Sequence, residues 1–440
     1  MAIVVPQGRT DLCADALFRW LHEHFACIAA DGADGVEIPL EDARRSALAM
    51  FSLTAPALRS FAQHRAEGNL QTISGLDHVP CDTRMRERLD PVAPEALRHA
   101  FTLVLRHLQR GTALAPLVLL DGHSLVALAG TAYCSSKTLP CASCLHRAPR
   151  NGSIPSVHQL VGAAILQPDF RAVIPLMPAP MVKQDGTPQN DGERTAANRF
   201  SPQLRQDHPP LSGIITAEAL RAKAPHSEPL HDDGCHYSLG VTEGDQASLV
   251  AQGQAAAEAG RVTDDERHDR AAEVVQAFRL VNDLPLNGSS RGVRVNVIEY
   301  GERGPEQGQP CSWVTDLRVS TRNGYKRMRG GRARWKIEHE TFNPLKNQGD
   351  HFEHHYGHGE PNLAVVLAML RMLAFLVDQT QQLCGALFRA VWAKFGSKRL
   401  LWERMRALFD DDRLPAMREL LEALYGGLAQ AHPMLLTDSS

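Results

Sequence analysis

Residues 115–133 read APLVLLDGHSLVALAGTAY, and here the chain changes period. Before this stretch, ALFRWLHEHF, LEDARRSALAMFSL and PEALRHAFTLVLRHL repeat apolar residues at intervals of three and four, which predicts a helical N-terminal region. From about Ala115, the segments APLVLL, HSLVALAGTAY, HQLVGAAIL and AVIPLMP predict successive short strands, with Asp121-Gly122 as the hairpin turn between the first two. A helix over NDGERTAANRFSPQLRQ follows, then strands at LSGIIT and HYSLGV. Strands, a helix and further strands in that order predict an α/β fold, a mixed sheet with helices packed on its faces.

Residues 243–275, rich in Ala, Gln, Asp and Glu, read as an exposed helical excursion, and strands return with FRLVNDLPL, VRVNVIEYGE and CSWVTDLRVS. A basic helix, a buried helix and an amphipathic C-terminal pair, LLWERMRALF and MRELLEALYGGL, complete the chain. LAVVLAMLRMLAFLV, from Leu363, is interrupted by Arg371 and looks too short to cross a bilayer, so it reads as a core helix. No membrane association is expected. Trp313 and Trp335 read most simply as core residues.

At 440 residues and 43% hydrophobic content, the chain can bury two or three substantial cores. The formal net charge of −3 announces no polyanionic partner, so any such partner must meet a local basic patch. Nine cysteines without framework spacing, and a start (MAIVVPQGRTDLC) without the features of a signal peptide, point to a reducing cytoplasm and no disulfides.

The patch lies between Arg318 and Ile337, with eight lysines and arginines and no acid. It runs into RARWKIEHETFNPLK, residues 332–346, where Glu338 and Glu340 stand at its end. A carboxylate there repels phosphate unless a cation lies between them.

The segment GRARWKIEHETFNPLKNQGDHFEHHYGHG resembles bacterial insertion-sequence transposases of the DDE superfamily. GTAYCSSKTLPCASC, HQLVGAAILQPDFRAVIPL, NDGER and LAFLVDQTQQL add to the resemblance, which runs in order from about Asp77 to Leu383. It implies a ribonuclease H-like core, two Mg2+ (or Mn2+) ions held by three carboxylates, and DNA strand cleavage and transfer at an element's ends. It makes Glu338 the third carboxylate, with Glu340 ranked second, and gives the surrounding Arg329, Arg332, Arg334, Lys336 and Lys346 to the DNA backbone. DNA stacking by Trp313 is a further suggestion from the base flipping of related enzymes. The implied partners are double-stranded DNA, the element's terminal inverted repeats and a second copy in a homodimer. The expected location is the bacterial cytoplasm, on the nucleoid.

On this plan residues 1–112 form a helical DNA-binding region and 113–242 the first part of the core. Residues 243–316 form a strand-rich insertion, 317–395 the catalytic helix with the rest of the core, and 396–440 a helical C-terminal region.

Two positions depart from the pattern. The first aspartate aligns with Ala129 and the second with Glu218, one methylene longer than the usual aspartate. Asp121, eight residues before Ala129, is the obvious replacement but is better explained as a turn residue. Gly192 and Ala179 stand where the family often has cysteine and glutamate. The expectation is a transposase whose cleavage is impaired. The alternatives are an inactive transposase-derived DNA-binding protein and a metal-dependent nuclease on the same fold.

Two metal-like patterns complete the reading. Cys141-x-x-Cys144 resembles half a zinc site, with Cys134, His146 and Cys235 as conceivable completions and a pair of ordinary thiols as the default. The histidines of HFEHHYGHG (His351, His354, His355 and His358) are expected in a loop that buttresses the active site or touches DNA.

Overall fold

A computed structural model describes residues 12–27, 39–63, 68–136, 144–146, 156–182, 192–218, 235–241, 247–270, 273–286, 293–304, 309–354, 356–411 and 413–427. The change of period at Ala115 holds. A 3-10 turn at Ala115–Leu117 leads into β1 (Val118–Leu120) and then β2 (His123–Ser136). Asp121 and Gly122 join them with φ of 51° and 83°, both positive, as the tightest hairpin turns require.

The strands form one mixed α/β sheet. β4 (Ser156–Leu166) runs antiparallel to β2 on one side, and the short pieces β5 (Ile174–Pro175) and β6 (Ala179–Pro180) pair antiparallel with β4 in turn. β3 (Leu145–His146) also pairs with β4. On the other side of β2, β7 (Gly213–Ala217) and β8 (His236–Val241) continue the sheet in parallel. Beyond β8 come β12 (Cys311–Thr315), β11 (Arg294–Arg303), β10 (Val274–Pro285) and β9 (Val262–Asp269), all antiparallel.

β2 and β4 are buried along nearly their whole length, because helices cover both of their faces. Helix Glu193–Asp207 reaches one face, where Glu193 accepts a hydrogen bond from the Gly130 amide at 2.8 Å. The opposite face meets the ring of Phe342, which lies against Gly162.

The excursion after residue 243 differs from expectation in part. Ala247–Glu258 is helical, but Val262–Asp269 is the edge strand β9. Its sequence, VTDDERHD, lacks an apolar alternation because little of it is covered; pairing with β10 makes it a strand, with Asp264 directly opposite Arg279. Alternate residues of β10 and β11, namely Phe278, Leu280, Ile298 and Tyr300, form a small second core with Trp313, Val319 and Met328.

Helix Leu363–Cys384 lies at the centre of the main core. At 22 residues it is long and apolar enough to cross a membrane, so the expectation that it is too short gives way. Its apolar window is nevertheless 100% buried in the protein. Arg371 is held within the core, donating to the Phe51 carbonyl at 3.1 Å and lying 2.9 Å from the Asp350 carboxylate.

The N-terminal helices pack into the same core as this helix and the C-terminal helices, one apolar cluster running from Leu12 to Leu424. Polar ties link the two ends. Asp15 accepts from the Met417 and Arg418 amides at the start of helix Met417–Gly426, and the Asn69 side chain bonds Phe409 and Leu414.

Candidate functional site

Glu218 follows the last residue of β7, whose parallel pairing with β2 runs from Ser124↔Gly213 to Ala127↔Thr216. Continuing that register brings Glu218 level with Ala129. Consecutive strand residues point to opposite faces, and the neighbours of positions 129 and 130 settle which is which. A side chain at 130 would meet the Glu193 carboxyl, whereas Gly162, the cross-strand partner of Ala129, packs on Phe342. Ala129 therefore shares the face of the segment that carries Glu338. Glu193 is on the other face and cannot stand in for a carboxylate at 129.

The expected basic helix runs without a gap from Gly324 to Asn347 but changes its hydrogen-bonding pattern along the way. Gly324–Arg332 is α-helical, Ala333–Trp335 is a 3-10 turn, and Glu338–Phe342 is a π-helical turn before Asn343–Asn347. π turns of this kind are frequent at functional sites. Helix Gly324–Arg332 packs closely on the second core: a Cβ at Gly331 would lie 2.4 Å from the Trp313 indole nitrogen.

Arg334 joins the two glutamates. Its Nη2 is 2.9 Å from Glu218 Oε1 and its Nη1 is 2.8 Å from Glu338 Oε1. The guanidinium is buried, while the two carboxylates remain substantially exposed, at 55% and 37%. Glu340 instead approaches Arg171, at 3.8 Å.

These donors do not fit a two-ion centre. Mg2+ needs several oxygen ligands, and a bridging carboxylate is the usual link between two ions. Here residue 129 offers a methyl group, and both glutamates are turned to one cationic side chain. Asp121 does not repair the set. It lies in the turn before β2, and six residues of extended strand, roughly 20 Å, separate His123 from Ala129.

The other basic residues also have partners. Arg332 donates to Glu302 at 2.7 Å, Arg329 bonds Asp169, Lys336 donates to the Phe170 carbonyl at 2.6 Å, and Lys346 pairs with Glu353 at 2.7 Å. Partial burial lowers the Lys336 pKa, opposed by the nearby carboxylates of Glu340 and Asp169. Trp313 is core, 5% exposed, so its position in the second core favours packing over stacking on DNA. Trp335 departs from expectation: it is 56% exposed, next to the Arg334 guanidinium.

The histidines do not act as one cluster. His354 packs on Tyr356, and His351 adopts a positive φ of 52°. Burial is the largest cause of the lowered His351 pKa, with Arg371 adding to it. His358 is buried against Cys144 and His158. His355, Cys141 and the side chain of His146 lie outside the described residues, and Cys235 is buried. Ala179 pairs with Val161 at the sheet edge, and Gly192 caps helix Glu193–Asp207 with nothing among the described residues within 4 Å of where a Cβ would lie.

Sequence reasoning overlooked His158. Its contacts with Cys144 and His358 span 14 and 200 positions, and only the first is short enough to be noticed as a spacing. No family model matches the chain, and no curated protein matches it.

Proposed function

We propose that this chain is a DNA-binding protein built on the ribonuclease H-like plan of insertion-sequence transposases, with strand cleavage impaired by alanine at position 129. The observation that carries the reading is the convergence of Glu218 and Glu338, 120 positions apart, on Arg334 beside the β2–β7 pair. The strand order supports it. Three antiparallel strand positions (β2, β4 and the β5/β6 pieces), a helix, then two strands parallel to β2 on its other side are what such a core requires.

In this reading an aspartate at 129, with Glu218 and Glu338, would hold the two Mg2+ or Mn2+ ions that polarise phosphate and activate the attacking hydroxyl. This chain retains the DNA-facing part. Arg329, Arg332, Lys336 and Lys346 would exchange their present partners for phosphates, which makes binding weak and steeply salt-dependent. The proposed partner is double-stranded DNA, at inverted repeats paired by a dimer.

The test is binding and cleavage of DNA flanking the coding sequence with Mg2+ or Mn2+, using the chain as written, Ala129→Asp, and Ala129→Asp with Glu218→Asp. The expected result is binding by all three and cleavage raised roughly a hundredfold or more in the restored chains. Equal cleavage by the unaltered chain would overturn the role given to position 129. Absence of DNA binding in all three would overturn the reading itself, and equal cutting of unrelated DNA would replace it with a nuclease.

A further inference from the structure

Away from the glutamates, three buried side chains meet on the other edge of the sheet. Cys144 comes just before β3, His158 comes from β4, and His358 from the loop ahead of helix Leu363–Cys384; all three are buried. Cys144 Sγ lies 3.4 Å from His158 Nε2 and 3.6 Å from His358 Nδ1, and the two nitrogens are 3.2 Å apart. Tetrahedral zinc with ordinary bond lengths places two imidazole nitrogens about 3.3 Å apart and a nitrogen and a thiolate about 3.6 Å apart. The triangle has the dimensions of one face of that tetrahedron.

The surroundings support a metal. His358 Nε2 lies 3.9 Å from Cys134 Sγ, so a proton on Nε2 leaves the Nδ1 lone pair directed at the centre of the triangle. Ligating histidines characteristically donate their second ring nitrogen to a hydrogen-bond acceptor, which fixes the tautomer. The loop that presents His358 is fixed in place. Gly357 and Gly359, on either side, have φ of 138° and 63°, and a Cβ at Gly359 would lie 2.2 Å from Asp90 Oδ1. Asp90 accepts from the Glu360, Asn362 and Leu363 amides, and Arg86 donates to the Tyr356 carbonyl.

We infer that Cys144, His158 and His358 bind a structural zinc ion, which pins the loop after the candidate catalytic segment to the β3–β4 edge. Sulfur and imidazole donors with no carboxylate in the set select zinc over magnesium. On binding, the Cys144 thiol releases its proton to solvent and both imidazoles coordinate in their neutral form. Zinc is four-coordinate, which leaves one position beyond these three ligands. Cys141, which shares the Cys-x-x-Cys spacing, lies outside the described residues and is not assigned to it.

The test uses the full chain. Elemental analysis after purification should give about one zinc per chain, falling to near zero in Cys144→Ser and His358→Ala but unchanged in Cys311→Ser, whose thiol is remote from the triangle. Cobalt substitution should give the visible bands of a tetrahedral ion with a thiolate charge-transfer band. Because the ligand variants could fail to fold, the wild-type chain is also stripped with a chelator. Its melting temperature should fall and recover with zinc but not with magnesium. A folded wild-type chain that carries no zinc and gives no tetrahedral cobalt spectrum overturns the site, as does equal zinc loss in Cys311→Ser. Neither readout depends on DNA binding or cleavage.

Discussion

The buried guanidinium of Arg334 donates to Glu338, one helical turn further along, at 2.8 Å, and its other nitrogen reaches Glu218 at 2.9 Å. The arginine holds apart two acids that would otherwise repel each other. Both carboxylates are partly solvated, so each pairing contributes little to folding. Glu338→Gln and Glu218→Gln should each change the unfolding free energy by less than about 1 kcal/mol. Arg334→Met should cost more, roughly 1–3 kcal/mol, because it strands two carboxylates around an apolar side chain. Urea titrations of the three variants decide the matter. Equal destabilisation by Glu338→Gln and Arg334→Met would mean that the cluster is structural rather than an exposed site.

Gly331→Ala should destabilise the protein, against the usual rule for helices. Alanine normally favours a helix by up to about 1 kcal/mol over glycine. At this position the added methyl would meet the Trp313 ring at 2.4–2.7 Å, in a core of few residues. Overpacking of this kind costs about 1–3 kcal/mol. Thermal melting of Gly331→Ala beside Gly253→Ala, a helical position where the added Cβ would make only an ordinary 3.6 Å contact with Glu299 Oε1, gives the comparison. A gain in stability for Gly331→Ala would refute the close approach of helix Gly324–Arg332 to Trp313.

What the sequence disclosed follows from how local each signal is. The strands β2 and β4, the turn at Asp121-Gly122 and the core helix announce themselves through period, turn chemistry and apolar length, all contained in short windows. The edge strand β9 does not, because VTDDERHD is mostly exposed and takes its conformation from its partner. The change of helical type along the basic segment carries no residue signal either: no proline lies between Gly324 and Asn343. The Cys144, His158 and His358 triangle was beyond reach for another reason. Its closure depends on the sheet and the Gly-His-Gly loop together, over a separation of 214 positions. The link of Glu218 to Glu338 was expected only through a family resemblance, and the intervening Arg334 was assigned to DNA rather than to both acids.

Asp90→Ala should loosen the loop that presents His358 before it affects the rest of the fold. Three backbone amides at the entry to helix Leu363–Cys384 donate to this one carboxylate, at 2.8–3.1 Å. Loss of such a cap costs about 1–2 kcal/mol. Hydrogen exchange should speed up at Glu360, Asn362 and Leu363 while remaining slow in the middle of the helix. Uniform acceleration along the helix would mean that Asp90 supports the whole core rather than the loop.

Stability should fall with rising pH through the titration of Asp378. Burial is the largest influence on this carboxyl and raises its pKa well above the ordinary 3.8; Asp350 pushes the same way, while Lys398 and Arg371 oppose. The folded chain therefore keeps a proton that the unfolded chain has released. In that window the native state binds more protons, so this group's contribution declines as pH climbs from about 3.8 towards the folded value, and then levels off. Asp378→Asn removes the titration and keeps the shape. The difference in unfolding free energy between wild type and Asp378→Asn, measured by denaturant titration from pH 4 upward, should move steadily in favour of the variant. A difference moving in favour of the wild type would show that pairing with Lys398 outweighs burial, and that Asp378 is ionised in the folded core.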